Sequence, residues 1–335
     1  MTKSIDTAAT VVIDCLDALR PGPRPLVVDE VTAALARAIR AGGAEAVDWQ
    51  RVYTPGRPGA TWPEAGRYSS AFLRLPKVKE ALDFALHAAA SVVQVGAPMV
   101  VFGANDEGAR SASSHLEIVA DEIETVVTKR HCRVLTGIRR AKVQGLKSRL
   151  ADWRVVREID IVGVRRPWVS YPGVFARGGV DEGTALLIAH LPKMGAKTRV
   201  LDFAGGTGVV AAAVLQSQTL VAVADLVEID ALALAAAGEN VPTARLIAGD
   251  GLTAVDGALY DVILSNPPFH DGVADDHSVL QRLIAEAPRY LRRGGELRIV
   301  AQRQIAAAPL IEAAFKNVTT IAGNGRFQLL SARKA

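Results

Sequence analysis

The chain has 335 residues, half of them apolar and 22% charged, with a formal net charge of +4. That length suits two domains rather than one, and that balance excludes a disordered chain. Its two cysteines, Cys15 and Cys132, match no metal spacing and offer no disulfide framework, which fits a reducing cytosol.

From the start of the chain, Asp6, Asp14 and Asp17 interrupt the apolar pattern of Met1 to Leu19, so no signal peptide is expected. Residues 1 to about 60 are Ala-rich and weakly patterned. Within them, residues 31–40 have helical spacing, with Asp29 as cap and Gly42-Gly43 as stop. Tyr53 to Tyr68, rich in proline and glycine, reads as a loop. Lys77 to Val93 reads as a helix with Leu82, Ala85, Leu86 and Ala89 on one stripe. The longest apolar run, Ala88 to Ala104, is cut by Gln94, Gly96 and Pro98 and is too broken to span a bilayer. Pro98 to Gly103 reads as a short buried strand, Ala104 to Gly108 as a turn, and Arg110 to Glu122 as a helix. This is a strand–turn–helix unit of the Rossmann kind without a glycine-rich loop, hence a structural unit with no nucleotide.

Charge changes next. Between Lys129 and Arg166 stand twelve Lys/Arg against three Asp/Glu, a local net of +9, with Trp153 and Trp168 in or beside the stretch. A solvated face explains most such runs; a phosphate backbone explains this density equally well. In Arg157 to Trp168, Ile159 and Ile161 alternate with Glu158 and Asp160, as in a strand or hairpin, and the alternation slips at Gly163, where a bulge is expected. The domain boundary falls here, dividing the chain into 1–154 and 155–335. After the Gly/Pro-rich Tyr171 to Gly179, Asp181 caps a helix from Thr184 to Leu191.

The second half alternates strands and helices. Thr198 to Phe203 is a strand, Ala204-Gly205-Gly206-Thr207-Gly208 an elbow, and Val209 to Leu215 a very apolar helix. Glycines at such an elbow let a ligand approach the backbone amides. A second strand ends near Glu228, twenty residues beyond Gly208, where a carboxylate suits a ribose diol. Asp225 competes for that role; the helix opening at Ala233-Leu234 favours Glu228. A third strand, Ala244 to Ile247, ends at Gly249-Asp250. The fourth, Tyr260 to Leu264, must stop at Ser265 or Asn266, because Pro267 and Pro268 have no N–H to donate. Ser265 to His270 therefore leaves an amide, rigid carbonyls and an exposed ring at a strand's carboxyl end, a pocket for a planar base or an amide nitrogen. Asp276 to Tyr290 is a helix, Glu296 to Ala301 a strand, Ala306 to Phe315 a helix, and Val318 to Leu330 a terminal hairpin around Asn324-Gly325.

Two ligand classes compete for the elbow. A dehydrogenase would set a pyrophosphate there, but Gly-Gly-x-Gly is not the dinucleotide fingerprint, and no proton-shuttling His or Tyr–Lys pair is evident. A methyltransferase would use the same elbow for the methionine part of S-adenosylmethionine. The terminal hairpin and Asn266-Pro267-Pro268-Phe269 favour the second.

Leu201 to Gly208 resembles motif I of class I S-adenosylmethionine-dependent methyltransferases, and Asn266 to Phe269 resembles the Asn-Pro-Pro-Phe motif of those that methylate amino groups. Asn266 to Gly272, Pro172 to Phe175 with Asp181 to Thr184, and Gly295 to Ala301 make the chain similar to the ribosomal small-subunit RNA guanine-N2 methyltransferase C family and its large-subunit relative. The similarity is strong over about 155–333. In the first half it rests on Leu73 to Lys77 and Val101 to Gly108.

The resemblance implies an α/β fold of two tandem Rossmann-like methyltransferase domains. The first is degenerate; the second has a seven-stranded sheet ending in an antiparallel hairpin. It implies methyl transfer from S-adenosylmethionine to the exocyclic N2 amine of a guanine in ribosomal RNA, with the small-subunit 16S RNA or the small subunit itself as partner, in the cytoplasm, without metal or membrane. Carried over, Asp202, Gly206 and Gly208 border the methionine moiety, Glu228 holds the ribose, and Asp250 accepts from the adenine amine with Leu252 against the ring. Asn266 and the Pro267 carbonyl accept from the target amine, Phe269 stacks on the base, and His270 is a candidate proton acceptor. Ala204 stands where many relatives have glycine. Adenine N6, a protein glutamine, and a non-catalytic RNA-binding or assembly role are the alternatives.

Overall fold

Leu26-Val27-Val28 and Val262-Ile263-Leu264 are buried throughout, as strands of a parallel sheet covered on both faces must be. In the computed structural model, which describes residues 6–30, 32–76, 78–217, 223–255, 257–268 and 274–335, these runs centre two separate sheets. Contacts divide the chain into two units, Met1–Val52 with Pro58–Arg154, and Tyr53–Arg57 with Val155–Ala335.

The first unit comprises α1 (Thr7–Ile13), α2 (Leu16–Leu19), β1 (Pro25–Val28), α3 (Ala34–Ala41), β2 (Val47–Trp49), β3 (Ser70–Arg74), α4 (Lys79–Val92), β4 (Pro98–Ala104), α5 (Ala112–Leu116), β5 (Ala120–Lys129) and β6 (Cys132–Arg139). Its sheet runs β2-β1-β3-β4-β6-β5, parallel up to β4 and antiparallel beyond.

The second unit comprises β7 (Val155–Ile161), β8 (Val164–Ser170), α6 (Glu182–Ala189), β9 (Arg199–Phe203), α7 (Val209–Ser217), β10 (Val223–Glu228), α8 (Ala231–Asn240), β11 (Arg245–Ala248), β12 (Tyr260–Ser265), α9 (Ala274–Tyr290), β13 (Leu291–Gln302), α10 (Ala307–Phe315), β14 (Thr319–Gly323) and β15 (Phe327–Arg333). The seven-stranded order is β11-β10-β9-β12-β13-β15-β14, with β15 antiparallel to both neighbours. Strand order reverses between β9 and β12, which opens a crevice at their carboxyl ends.

The two sheets share one plan. In both, a central strand (β1 or β9) feeds a helix, and an antiparallel pair closes one edge. Among the described residues the first sheet has no strand beyond β2, so it lacks a counterpart of β11. After β1, where the second unit has its glycine elbow, stands Glu30, wholly buried. Its carboxylate accepts from the Thr32 and Leu35 N–H groups at 2.9 and 3.2 Å and from the Thr32 hydroxyl, so an internal acid fills the elbow. The expected cap of α3, Asp29, has φ +53° and instead accepts from the Arg51 N–H.

Two local expectations are corrected. The helix read over Arg110 to Glu122 is short, and Ala120 already begins β5. The run Asp121-Glu122-Ile123-Glu124 is polar because β5 is a sheet edge with most side chains exposed, not because it is the outer face of a helix. Val162 and Gly163 form no bulge: Ile161 pairs with Val164, and both intervening residues have positive φ, +52° and +75°. That is the two-residue loop that matches the twist of a hairpin.

The basic run is partly used internally. Arg139 is buried, its guanidinium donating to the Ala90 carbonyl at 2.8 and 3.1 Å. Arg140 pairs with Asp121, and Lys129 with Asp14. Neither tryptophan is offered to a ligand. Trp153 packs edge-on against Phe84 and His87 with Lys147 over its ring, and Trp168 is 1% exposed beneath the elbow.

Candidate active site

Strand ends place the site. Ser265 at the end of β12 donates its hydroxyl to the Phe203 carbonyl at the end of β9 (2.8 Å), tying the two ends together. Beyond Phe203 the elbow turns sharply: Ala204, Gly206 and Gly208 have φ of +55°, +56° and +90°. Ala204 thus adopts a left-handed angle, which costs a non-glycine residue about 1–2 kcal/mol.

The three glycines serve different ends. A methyl group on Gly205 would lie 2.5 Å from Leu226, and one on Gly208 2.8 Å from Val241, so both make room for packing. One on Gly206 would meet open space, which is where a ligand comes close. Trp168 supports the elbow from below, donating its indole N–H to the Thr207 hydroxyl (3.0 Å), and Asn240 donates to the Thr207 carbonyl.

Around the elbow lie four carboxylates. Asp202, 2% exposed, accepts from the Ala211 N–H at 3.0 Å; burial pushes it up to about 7, with a smaller push from the charge of Glu228. Glu228 accepts from Gly206, Ile229 and Asp230 N–H groups at 2.8, 2.8 and 3.0 Å. Burial nonetheless holds its carboxyl above the usual range, because those N–H groups offset only part of the desolvation. Asp181 and Asp250 complete the set.

A cavity of about 210 Å³ opens beside the elbow. Glu228, Asp250 and Asn266 line it with Phe203, Val227, Ile229, Val279, Pro268, Phe175 and Arg282. A smaller adjoining pocket is lined by Asp181, Thr184, Asp202, Gly205, Gly206 and again Phe175 and Asn266. Asn266 therefore stands where the two meet. Among the described lining residues Arg282 is the one cation, and both its terminal guanidinium nitrogens donate to Asp250. With Arg282 and Asp250 cancelling each other, the remaining acids still make the walls acidic, which disfavours a pyrophosphate and suits a positively charged nucleoside.

The structure sorts the expected residues. Asp202, Gly206, Glu228, Asp250 and Asn266 are gathered on these walls. Gly208 lies beneath them, against Val241. Pro267 is buried, and Phe269 and His270 lie outside the described residues. Asp225 points elsewhere: it is wholly buried and bound by Arg245 at 3.0 and 2.5 Å and by the Tyr260 hydroxyl at 2.6 Å. Burial raises its carboxyl, but those hydrogen bonds outweigh it and hold it below the usual range. Leu252 is fully buried in the core, and the apolar wall is built instead by Val227, Ile229, Phe203 and Val279.

Sequence reasoning missed Phe175, Arg282 and the inward role of Asp181 and Thr184. Phe175 is 54% exposed at the pocket mouth, next to Ala176 and Arg177 at φ +51°. An aromatic residue in a Gly/Pro-rich loop was the available signal. Among the described residues no group of three or more His, Cys, Asp and Glu side chains is gathered to hold a metal ion, and no helix is long and apolar enough to cross a membrane.

Residues 166–331 match the methyltransferase small domain family, and residues 45–154 match its N-terminal domain. A ribosomal RNA small subunit methyltransferase C from Shewanella loihica is 32% identical over 281 residues, covering 83% of this chain and 80% of that protein. One from Ectopseudomonas mendocina is 35% identical over 274 residues, covering 80% of each. In fold, the chain is similar to a T. thermophilus 16S rRNA N2 methyltransferase solved in complex with AdoMet and guanosine. The TM-score is 0.78 at 23% identity, over 97% of this chain and 92% of that one.

Proposed function

Because the chain belongs to the ribosomal RNA small subunit methyltransferase C family, we propose that it methylates the exocyclic N2 amine of a guanine in 16S ribosomal RNA. The observation that carries this reading is the place of Asn266. Its amide stands at the end of β12, at the junction of an acid-lined nucleoside cavity and a glycine elbow. S-adenosylmethionine, when bound, supplies an electrophilic methyl group on a sulfonium.

The chain's residues divide the remaining work. Glu228 offers its one remaining lone pair, on Oε2, to a ribose hydroxyl, while three backbone N–H groups hold it in place. Asp250, steadied by Arg282, keeps acceptor capacity for the adenine amine, since each carboxylate oxygen has a second lone pair. Asp202 and Gly206 border the methionine end. Asn266 Oδ1 and the Pro267 carbonyl accept the two hydrogens of the target amine. Phe269 stacks on the base.

A guanine amine is a weak nucleophile because its lone pair is delocalised into the ring. Two acceptors on its hydrogens aim the lone pair and stabilise the positive nitrogen that develops during transfer. Preorganised partners of this kind contribute about 3 kcal/mol each in the transition state. The proton leaves after methylation, so no strong base is required. Access to a paired guanine requires the base to be flipped out or unpaired.

Residues 1–154 are assigned to RNA recognition and structural support, and 155–335 to catalysis. Exposed Arg130 and Lys142 support the first assignment, as phosphate contacts set affinity without reading sequence. Free Cys15 and Cys132 accord with the cytoplasm, where ribosomal subunits are made.

The test is incubation of purified protein and labelled S-adenosylmethionine with unmodified 16S RNA, small subunits, DNA and protein. Label is expected in RNA as N2-methylguanosine. Asn266→Ala is expected to lower turnover by about 100-fold and to leave cofactor affinity within about twofold. Label on adenine or glutamine, or full turnover by the variant, would refute the proposal.

A further inference from the structure

Asn266 can donate or accept, and the amine it faces needs an acceptor. Three groups decide which end of its amide points inward. Nδ2 lies 3.1 and 3.2 Å from the two Asp181 carboxylate oxygens and 2.9 Å from Thr184 Oγ1. An ionised carboxylate only accepts. The Thr184 hydroxyl gives its one proton to Asp181 Oδ2, so towards Asn266 it too can only accept. Both groups therefore demand an N–H, and the orientation of the amide follows from the network rather than from its shape. With both Nδ2 hydrogens engaged, Oδ1 is left as the end that can receive a substrate hydrogen.

Helix α6 also accommodates the amide without deciding its orientation. Gly183 opens α6 between these residues, and a methyl group there would stand 2.9 Å from Asn266 Oδ1 and 3.2 Å from Nδ2. The helix leaves room for the amide at that position. Meanwhile Asp181 Oδ1 caps α6 through the Gly183 and Thr184 N–H groups at 2.9 and 3.2 Å, so a well-anchored helix start carries the orienting groups.

We infer that Asp181 and Thr184 are positioning residues that lock the Asn266 amide with its oxygen towards the acceptor amine. The inference rests on the methyl-transfer reading above. Swapping the amide ends would set an NH₂ against the amine's own hydrogens, so the lock acts on the chemical step and not on cofactor binding.

The test uses the full-length protein with S-adenosylmethionine and unmodified small-subunit RNA. Thr184→Val keeps the helix cap and removes one acceptor. Its kcat should fall about 5- to 20-fold, with RNA KM and cofactor Kd within about twofold. Thr184→Ser should restore kcat. Asp181→Asn keeps a capping oxygen for α6 but turns an NH₂ towards Asn266, so a larger loss, about 10- to 100-fold, is expected at near-native stability. A second readout is independent of turnover: the Asn266 side-chain NH₂ resonances should shift, and exchange faster with solvent, in Thr184→Val. Wild-type kcat in Thr184→Val together with unchanged amide resonances would overturn the inference. A wild type inactive on guanine would count against the methyl-transfer reading instead, and the amide resonances would then decide the orientation claim.

Discussion

Replacing Glu228 by Gln removes one charge and changes one oxygen to NH₂, with almost no change in shape. In the native site Oε1 accepts from Ile229 and Asp230 N–H, and Oε2 from Gly206 N–H. Whichever way the new amide turns, an NH₂ faces at least one of these donors. One buried hydrogen bond is lost, at about 1–3 kcal/mol, and the charged acceptor for the ribose disappears, at about 1.5–3 kcal/mol. Folding carries the first loss and binding mainly the second. Cofactor affinity should therefore fall about 10- to 100-fold. Asp225→Asn is the control. Asp225 is wholly buried against Arg245, Arg199 and Tyr260, so its neutralisation should cost about 2–4 kcal/mol of stability and leave cofactor Kd within about threefold. Isothermal titration with S-adenosylmethionine and urea unfolding of both variants make the comparison. An Asp225→Asn protein of native stability that loses the cofactor, beside a Glu228→Gln protein that binds normally, would refute the assignment of the ribose acid.

The acid–base state of the elbow gives a second prediction. Asp202 titrates at about 7 in the folded chain against about 3.9 unfolded. Below about pH 4 both states are protonated and it changes nothing; between about 4 and 7 the unfolded chain ionises first, so the cofactor-free protein loses stability as pH rises, and above 7 the full cost stands. A cation beside Asp202 favours its ionised form, so cofactor affinity should rise from pH 6 to 8 with release of a proton on binding. Asp202→Asn should flatten that dependence; an unchanged slope would contradict it. Among the glycines, Gly205→Ala should lower stability by about 1–3 kcal/mol through overpacking against Leu226. Gly206→Ala should cost folding about 1–2 kcal/mol for its left-handed angle and weaken cofactor binding, since its methyl group enters the open space; native affinity in that variant would place the ligand elsewhere.

What the sequence disclosed, and what it concealed, follows from the range of the interactions. Asp202 to Gly208, Glu228, Asp250 and Ser265 to Pro268 were readable because each marks the end of a strand, and strand ends are signalled locally by glycine, proline and the apolar run before them. The hairpin at Val162-Gly163 was half readable: the glycine signalled a break, but the left-handed valine beside it did not. β5 was misread because an edge strand with little burial carries the polar composition of an outer helix face. The contact between Asp181 and Asn266 spans 85 residues and depends on α6 arriving beside β12, which no local pattern specifies. Arg282 reaches Asp250 across 32 residues in the same way. Trp168 illustrates the converse: in sequence it stands beside a basic run, yet it is buried beneath Thr207 because the hairpin folds back onto α7 and α8.

The central claim is that this chain places a methyl group on a guanine N2 of small-subunit RNA. The most direct measurement is mass spectrometry of 16S RNA from a strain lacking the protein, repeated after complementation with wild type and with Asn266→Ala. One N2-methylguanosine is expected to vanish in the deletion, return with the wild type, and stay absent with the variant. A complete set of N2-methylguanosines in the deletion strain would contradict the account.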